Sequence, residues 1–302
     1  MTKNILFTKY LYKLYFLSLS LPWVLLLIMV GWKRHKLRVN TALCGLPYSF
    51  GFRVRFYTAV VFDLLRFIHG KYEDGIHPRP RDSEKLRLLK FGSSLYLTAH
   101  FHNWELMGAW MTRQGIPLLS GARSMHNPLS QKCLTWFRSR LGMKVAFHAL
   151  PRSALRHLNE SGCFALLWDQ RASGSADTAL FFGYPLPMDP LPVFLVRHTS
   201  VPVFFGILLP GGSLRLIQLA NPDRSRDPYR QLSRRYHRVL EFLVRVYPTY
   251  WYGLAHGRFQ DLVDYGSRVH VSRETSTPSG VMVSRETKVS LGLPPESGDA
   301  RR

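Results

Sequence analysis

The sequence predicts an α/β fold, a mixed central sheet flanked by helices, with an N-terminal transmembrane helix ahead of it. Short apolar runs such as Leu95–Ala99 (LYLTA) and Phe164–Trp168 (FALLW) have the length of buried strands. They alternate with segments whose apolar residues recur at helical spacing, and such alternation favours layers of helices packed on a sheet. An uncharged run, Tyr15–Trp32 (YFLSLSLPWVLLLIMVGW), precedes them all and is near the minimum length for crossing a bilayer.

That run is flanked by Lys9 and Lys13 before it and by Lys33, Arg34, Lys36 and Arg38 after it. Trp23 and Trp32 would sit at headgroup level. A membrane anchor is the leading reading. A cleaved signal peptide fits less well, because a basic cluster follows the run where a small-residue cleavage site would be needed. A buried core helix is the plain alternative, and Pro22 leaves room for a kink. The heavier basic flank lies on the C-terminal side, so the expectation is a single-pass membrane protein with its body in the cytoplasm.

Arg53–His69 has helical spacing and a basic start, which suits either a membrane-surface helix or an ordinary core helix. Lys71–Lys90 reads as loop plus short helix, and Leu95–Ala99 as a strand. Asn103–Gln114 reads as a helix closed by Gly115, and Ile116–Leu119 as a short strand. Pro128–Arg140 and Pro151–Asn159 read as helices followed by Gly142 and Gly162. Phe164–Trp168 is a strand feeding the loop Asp169–Asp177. Val201–Leu209 and Leu214–Leu219 form a hairpin across Pro210-Gly211-Gly212-Ser213. A long helix runs from Asp227-Pro228 to about Val246, with Leu232, Tyr236, Val239, Leu240 and Leu243 on its apolar stripe. Beyond about Tyr265 the composition turns to Ser, Thr, Gly, Pro and charge, and VSRET occurs at Val271–Thr275 and again at Val283–Thr287. Such a segment buries too little apolar surface to offset its ordering entropy. The division is a membrane anchor over 1–38, a catalytic domain over 39–265 and a disordered polar tail over 266–302.

The 302 residues are enough for a sizeable core. Lys and Arg total 41 against 19 Asp and Glu, a formal charge of +22. That charge favours nucleic acid, an anionic membrane or an acidic protein as partner. The three cysteines, Cys44, Cys133 and Cys163, are far apart, which argues against a disulfide framework or structural zinc and fits a reducing cytoplasm.

The chemistry-bearing segment is Ala99-His100-Phe101-His102-Asn103-Trp104-Glu105. His100 ends a buried strand and Glu105 opens the next helix, so the two side chains can converge from loop and helix. A carboxylate beside an imidazole fixes its tautomer and favours its protonated form. The imidazole could then take a proton from an alcohol as that alcohol attacks a thioester. H-x4-E alone arises often by chance, and a hydrogen-bonded structural histidine is the plain alternative.

HFHNWEL, then Arg123-Ser-Met-His-Asn127-Pro128-Leu129, then Leu134-Thr-Trp-Phe-Arg138-Ser-Arg140, then Leu167-Trp168-Asp169-Gln170, resembles the lipid A biosynthesis (lauroyl/myristoyl) acyltransferases, within the lysophospholipid acyltransferase superfamily. The resemblance runs from about Tyr15 to about Phe259. It implies a glycerol-phosphate-acyltransferase-like fold and transfer of a fatty acyl group from acyl carrier protein to a hydroxyl of a lipid A precursor. It implies His100 as general base and Glu105 as its paired carboxylate. Arg138 matches an arginine required in the second block, and Asp169 the acidic residue after the third-block strand. Arg123 and Asn127 fall on the R-x3-N-P pattern and, with Arg138 and Asp169, are expected substrate-binding residues.

Arg138 suits a phosphate or the oxyanion, since its guanidinium can bind two oxygens at once. A solvated helix face is the plain alternative. Asp169 could orient Arg138, hold an active-site loop or simply cap a turn. Phe181–Pro185 is expected to continue that loop. His256-Gly257-Arg258-Phe259 departs from the related proteins, where a basic residue stands in place of Gly257, and Arg171 and Ala172 also depart.

His100-x-His102 could supply two metal ligands, but no further ligand cluster completes a site, so no metal is expected. No cofactor is implied beyond acyl carrier protein as donor substrate. No G-x-S-x-G, Walker or dinucleotide motif occurs. Cys133 and Cys163 read as core residues. Arg230, Arg234, Arg235, His237, Arg238 and Arg245 face away from the apolar stripe of their helix. That face invites nucleic acid, but inner membrane lipids or an acidic carrier protein are the expected partners, and nucleic acid is not. The alternatives are an acyltransferase acting on a lysophospholipid or glycolipid, and a non-catalytic basic binding protein at the membrane.

Overall fold

The computed structural model describes residue 15 and most of 18–259, excepting 70–74, 126, 148–149, 171, 173–177, 220–227 and 257. The expected polar tail and its repeat lie outside the described residues. A first helix, α1, is described over residues 18–29. The order is then α2 (Arg34–Leu43), α3 (Phe50–His69), β1 (His77–Pro78), α4 (Ser83–Phe91), β2 (Ser94–Thr98), α5 (Trp104–Arg113), β3 (Leu118–Gly121), α6 (Pro128–Arg140), β4 (Lys144–Ala146) and α7 (Leu150–Asn159). The chain continues through β5 (Cys163–Leu167), β6 (Thr178–Phe181), β7 (Tyr184–Pro187), α8 (Leu191–Thr199), β8 (Val203–Leu208), β9 (Ser213–Leu219) and α9 (Pro228–Val246).

Seven strands form one sheet in the order β1-β9-β8-β2-β5-β3-β4. Every pair is parallel except the hairpin β8–β9. The central strands are buried on both faces, which is why they read as unbroken apolar runs. Leu95 and Leu97 join the core on one face, shared with α3, α7, α8 and α9, and Tyr96 joins the core on the other, against α4 and α5. Gly206 on β8 lies against the Tyr96 ring, where any Cβ would sit 1.8 Å from the phenol oxygen.

Three elements differ from expectation. Phe181–Pro185 forms part of the β6–β7 hairpin, its turn made by Phe182 and Gly183 with positive φ. Helix α8 and the three-residue edge strand β4 were not foreseen. No helix among the described residues is long and apolar enough to cross a membrane, and residues 1–14, 16 and 17, which include part of the expected anchor, lie outside the described residues. One side of α1 packs on the body through buried Val24 and part-buried Leu27 and Ile28, while Leu21, Trp23, Leu25 and Met29 are exposed.

Candidate active site

The site lies beyond the carboxyl ends of β2 and β5, where open α/β sheets gather their ligands. These strands are parallel neighbours in a register that pairs Thr98 with Leu167. His100 and Asp169 therefore stand at the same level, each two residues past that pair. The His100 backbone N–H donates to Asp169 Oδ2 at 2.9 Å, and the ring Nδ1 lies 2.8 Å from Oδ1. The Trp251 indole N–H donates to Oδ2 at 2.9 Å. Asp169 is buried. Burial alone would raise its pKa, but the adjacent imidazole and these three hydrogen bonds outweigh that effect and hold it at about 2.

An ionised Asp169 fixes the proton on His100 Nδ1 and leaves Nε2 with its lone pair. The Gln170 side-chain amide lies 3.0 Å from Nε2 and can donate to it. The His100 side chain keeps 15% of its surface open, so one edge is reachable. Trp104 packs edge-on against the ring at 4.9 Å.

A second buried pair stands behind the first. His102 adopts φ 47°, uncommon for a residue with a Cβ, and its Nδ1 lies 2.8 Å from Asp63 Oδ2. Tyr252 O–H donates to the same oxygen. Asn103 donates to the Asp63 carbonyl at 2.8 Å and caps α5 by accepting from Leu106 N–H. Phe101 bridges Trp251 in antiparallel fashion. His102 N–H donates to Tyr250 O at 2.7 Å, and Tyr252 N–H to His100 O at 2.8 Å. The C-terminal segment 250–252 thus clamps the loop 100–102 from outside. Arg258, 1% exposed, donates to the carbonyls of Gln170 and Pro187 at 3.1 and 2.7 Å, fixing the backbone of Gln170 beside Asp169.

The expected His100–Glu105 pair does not form. Glu105, in the first turn of α5, takes both Arg138 Nε, at 3.0 Å, and Arg138 Nη2. The helix directs Glu105 toward α6, while the parallel register brings Asp169 to His100. Both side chains of the Glu105–Arg138 pair are 13% exposed. The pair borders an apolar recess lined by Trp104, Met107, Gly108 and Met143. Arg138 therefore offers a two-oxygen fork to Glu105 rather than an open one to a ligand. Asn127 caps α6, its side chain accepting from Leu129 and Ser130 N–H at 2.9 and 3.2 Å. Arg123 lies near the surface, 3.3 Å from Asp189.

His100 and His102 each face their own carboxylate, Asp169 and Asp63, and no group of three or more metal-ligating side chains occurs among the described residues. Two further expectations are corrected. His237 is buried, so it leaves the basic face of α9. Cys133 is exposed on α6, a helix that buries no residue, whereas Cys44 and Cys163 are buried. Burial pushes the Cys163 thiol up to about 12 and the Cys44 thiol well above its ordinary range.

Asp169 was foreseen, but as a substrate or loop residue. Trp251 and Asp63 were missed, while His102 was read only as a possible metal ligand and Gln170 only as part of a matching block. The signal available was that both buried-strand runs, LYLTA and FALLW, are followed directly by an ionisable residue, His100 and Asp169.

A comparison with curated proteins finds no match. A family model described as bacterial lipid A biosynthesis acyltransferase matches residues 81–260. The match spans well over half of the chain and contains both His100 and Asp169. The chain belongs to the bacterial lipid A biosynthesis acyltransferase family.

Proposed function

We propose that this family member transfers a fatty acyl group from acyl carrier protein to a hydroxyl of a lipid A precursor, with His100 as general base held by Asp169. The observation that carries this reading is the His100 Nδ1–Asp169 contact of 2.8 Å, which holds the ring with Nε2 at a reachable edge. The acceptor hydroxyl displaces the Gln170 amide and gives its proton to Nε2. Its oxygen forms a bond to the thioester carbon. The tetrahedral intermediate then collapses, the C–S bond breaks, and the proton on Nε2 goes to the departing sulfur. The carboxylate of Asp169 stabilises the imidazolium between these steps. A positioned base of this kind contributes on the order of 10²- to 10⁴-fold.

Glu105 and Arg138 act in this scheme as a brace between α5 and α6 that shapes the apolar recess for the acyl tail. The protein associates with the inner membrane through the exposed apolar side of α1, where Leu21, Trp23 and Met29 precede the basic Lys33 and Arg34. The body then faces the cytoplasm, where acyl carrier protein is available.

The test incubates purified protein in detergent with acyl carrier proteins of several chain lengths and a lipid A precursor, then weighs the lipid product. The expected result is one added acyl chain, lost in His100→Gln. No added chain with any donor, or an unchanged product in His100→Gln, overturns the reading.

A further inference from the structure

Helix α6 buries none of its 13 residues. Its inner side holds Arg138 against Glu105, and Phe137 against Phe67 of α3 with ring centroids 6.0 Å apart. Its outer side carries Leu129, Cys133, Trp136 and Arg140, at successive steps of four, three and four residues that keep them on one face. Leu129 is 70% exposed and Trp136 54%. The Arg140 guanidinium lies over the Trp136 ring at 4.8 Å. Lys132, also exposed, flanks the stripe, and no acidic residue occurs on the helix. The apolar exposure continues past α6. On the far side of the Phe67–Phe137 contact α3 exposes Leu64 and Ile68, and at its end His69 meets the exposed Tyr15 edge-on, just ahead of α1.

Contiguous apolar exposure of this kind marks an interaction surface. Its breadth and charge select the occupant. Apolar side chains spread over three helices suit a lipid surface, whereas a peptide would fill one groove. On α6 an aliphatic and aromatic stripe is flanked by Lys132 and Arg140 with no carboxylate among them, which is complementary to anionic headgroups. Trp136 beneath a guanidinium has the mixed character of side chains that sit where the acyl and headgroup layers meet. We propose that α6 is a second membrane contact, lying along the headgroup layer of an anionic bilayer through Leu129, Trp136, Lys132 and Arg140. This contact is additional to the attachment through α1 and does not depend on the acyl-transfer reading. The Glu105–Arg138 pair on the inner side of α6 borders the apolar recess, so a docked α6 holds that recess against the lipid surface.

Cys133 supplies the probe, since it is exposed on this stripe while Cys44 and Cys163 are buried. The full chain, carrying an environment-sensitive fluorophore on Cys133, is mixed with vesicles of phosphatidylethanolamine and phosphatidylglycerol. The expected result is a blue shift of the label and its quenching by nitroxides placed high on the lipid acyl chains. The shift is lost in Leu129→Ser/Trp136→Ser while that protein still sediments with the vesicles through α1. Both substituted residues are exposed, so the variant keeps its fold. Lys132→Gln/Arg140→Gln weakens the shift, and vesicles of phosphatidylcholine alone give a smaller one. An unmoved label on wild-type protein that sediments overturns the α6 contact and leaves the α1 attachment standing, whereas protein that fails to sediment overturns both. A shift that appears without vesicles and grows with protein concentration assigns the stripe to a second copy of the chain and overturns the proposal. Equal shifts on neutral and anionic vesicles overturn the selectivity for anionic lipid.

Discussion

His100 and Asp169 lie two residues beyond the paired residues Thr98 and Leu167, on adjacent parallel strands. The contact between them is therefore a product of sheet register. The two residues are far apart in sequence, yet a parallel ladder with no bulge between them brings their side chains to one level.

Trp251 tunes that contact. Its indole N–H draws charge from Asp169 Oδ2. Trp251→Phe keeps a ring against Phe181 but removes the donor. Asp169 then holds the His100 ring less firmly, and the expected loss in kcat is about tenfold with KM little changed. Steady-state kinetics of the variant, in protein shown to be folded, check this. An unchanged kcat would remove Trp251 as a positioning residue.

The Glu105–Arg138 brace predicts coupled stability. Both side chains are 13% exposed, so removing one partner leaves a largely desolvated charge. Glu105→Gln and Arg138→Met are each expected to cost about 2 kcal/mol, a fall in Tm of roughly 4–8 °C for a domain of this size. The double variant should recover part of that loss. Thermal melts of the two single variants and the double variant measure it, and strictly additive losses would remove the brace.

Asp169 also links stability to acid. Its carboxyl falls from an ordinary 3.8 to about 2 in the fold. A carboxyl whose pKa is lowered on folding stabilises the fold above its unfolded value, and that stabilisation is lost as pH falls through the folded value. Wild-type protein should lose stability between about pH 4 and pH 2, and Asp169→Asn should show a shallower decline there. Unfolding followed across that window decides it.

Cysteine labelling tests the packing directly. Cys133 is exposed, while Cys44 and Cys163 are buried with raised pKa values. A maleimide should modify Cys133 alone in folded protein. Modification of Cys163 before unfolding would contradict the placement of β5 in the core.

Much of this architecture could be read from residue patterns. LYLTA and FALLW were recognisable as doubly buried strands because both faces of β2 and β5 are covered, and the Pro-Gly-Gly-Ser turn marked the β8–β9 hairpin. Helix α8 escaped because its run, LPVFLVRHT, is apolar on most sides and carries little periodic signal. The site was legible in composition but not in pairing. Glu105 is near His100 in sequence, and local spacing favoured it, yet a helix at its first turn turned that carboxylate to Arg138. Asp169, Trp251 and Asp63 reach the two histidines through tertiary contacts. No local pattern encodes those contacts.

The most direct test of the account compares single-turnover acyl transfer in Asp169→Asn and Glu105→Gln, each in protein shown to be folded. Loss of the carboxylate that orients the base should lower the rate about 10³-fold or more in Asp169→Asn, while Glu105→Gln loses stability first and rate less. Transfer at the wild-type rate in Asp169→Asn, with Glu105→Gln inactive, would contradict the account and return the pair to His100 and Glu105.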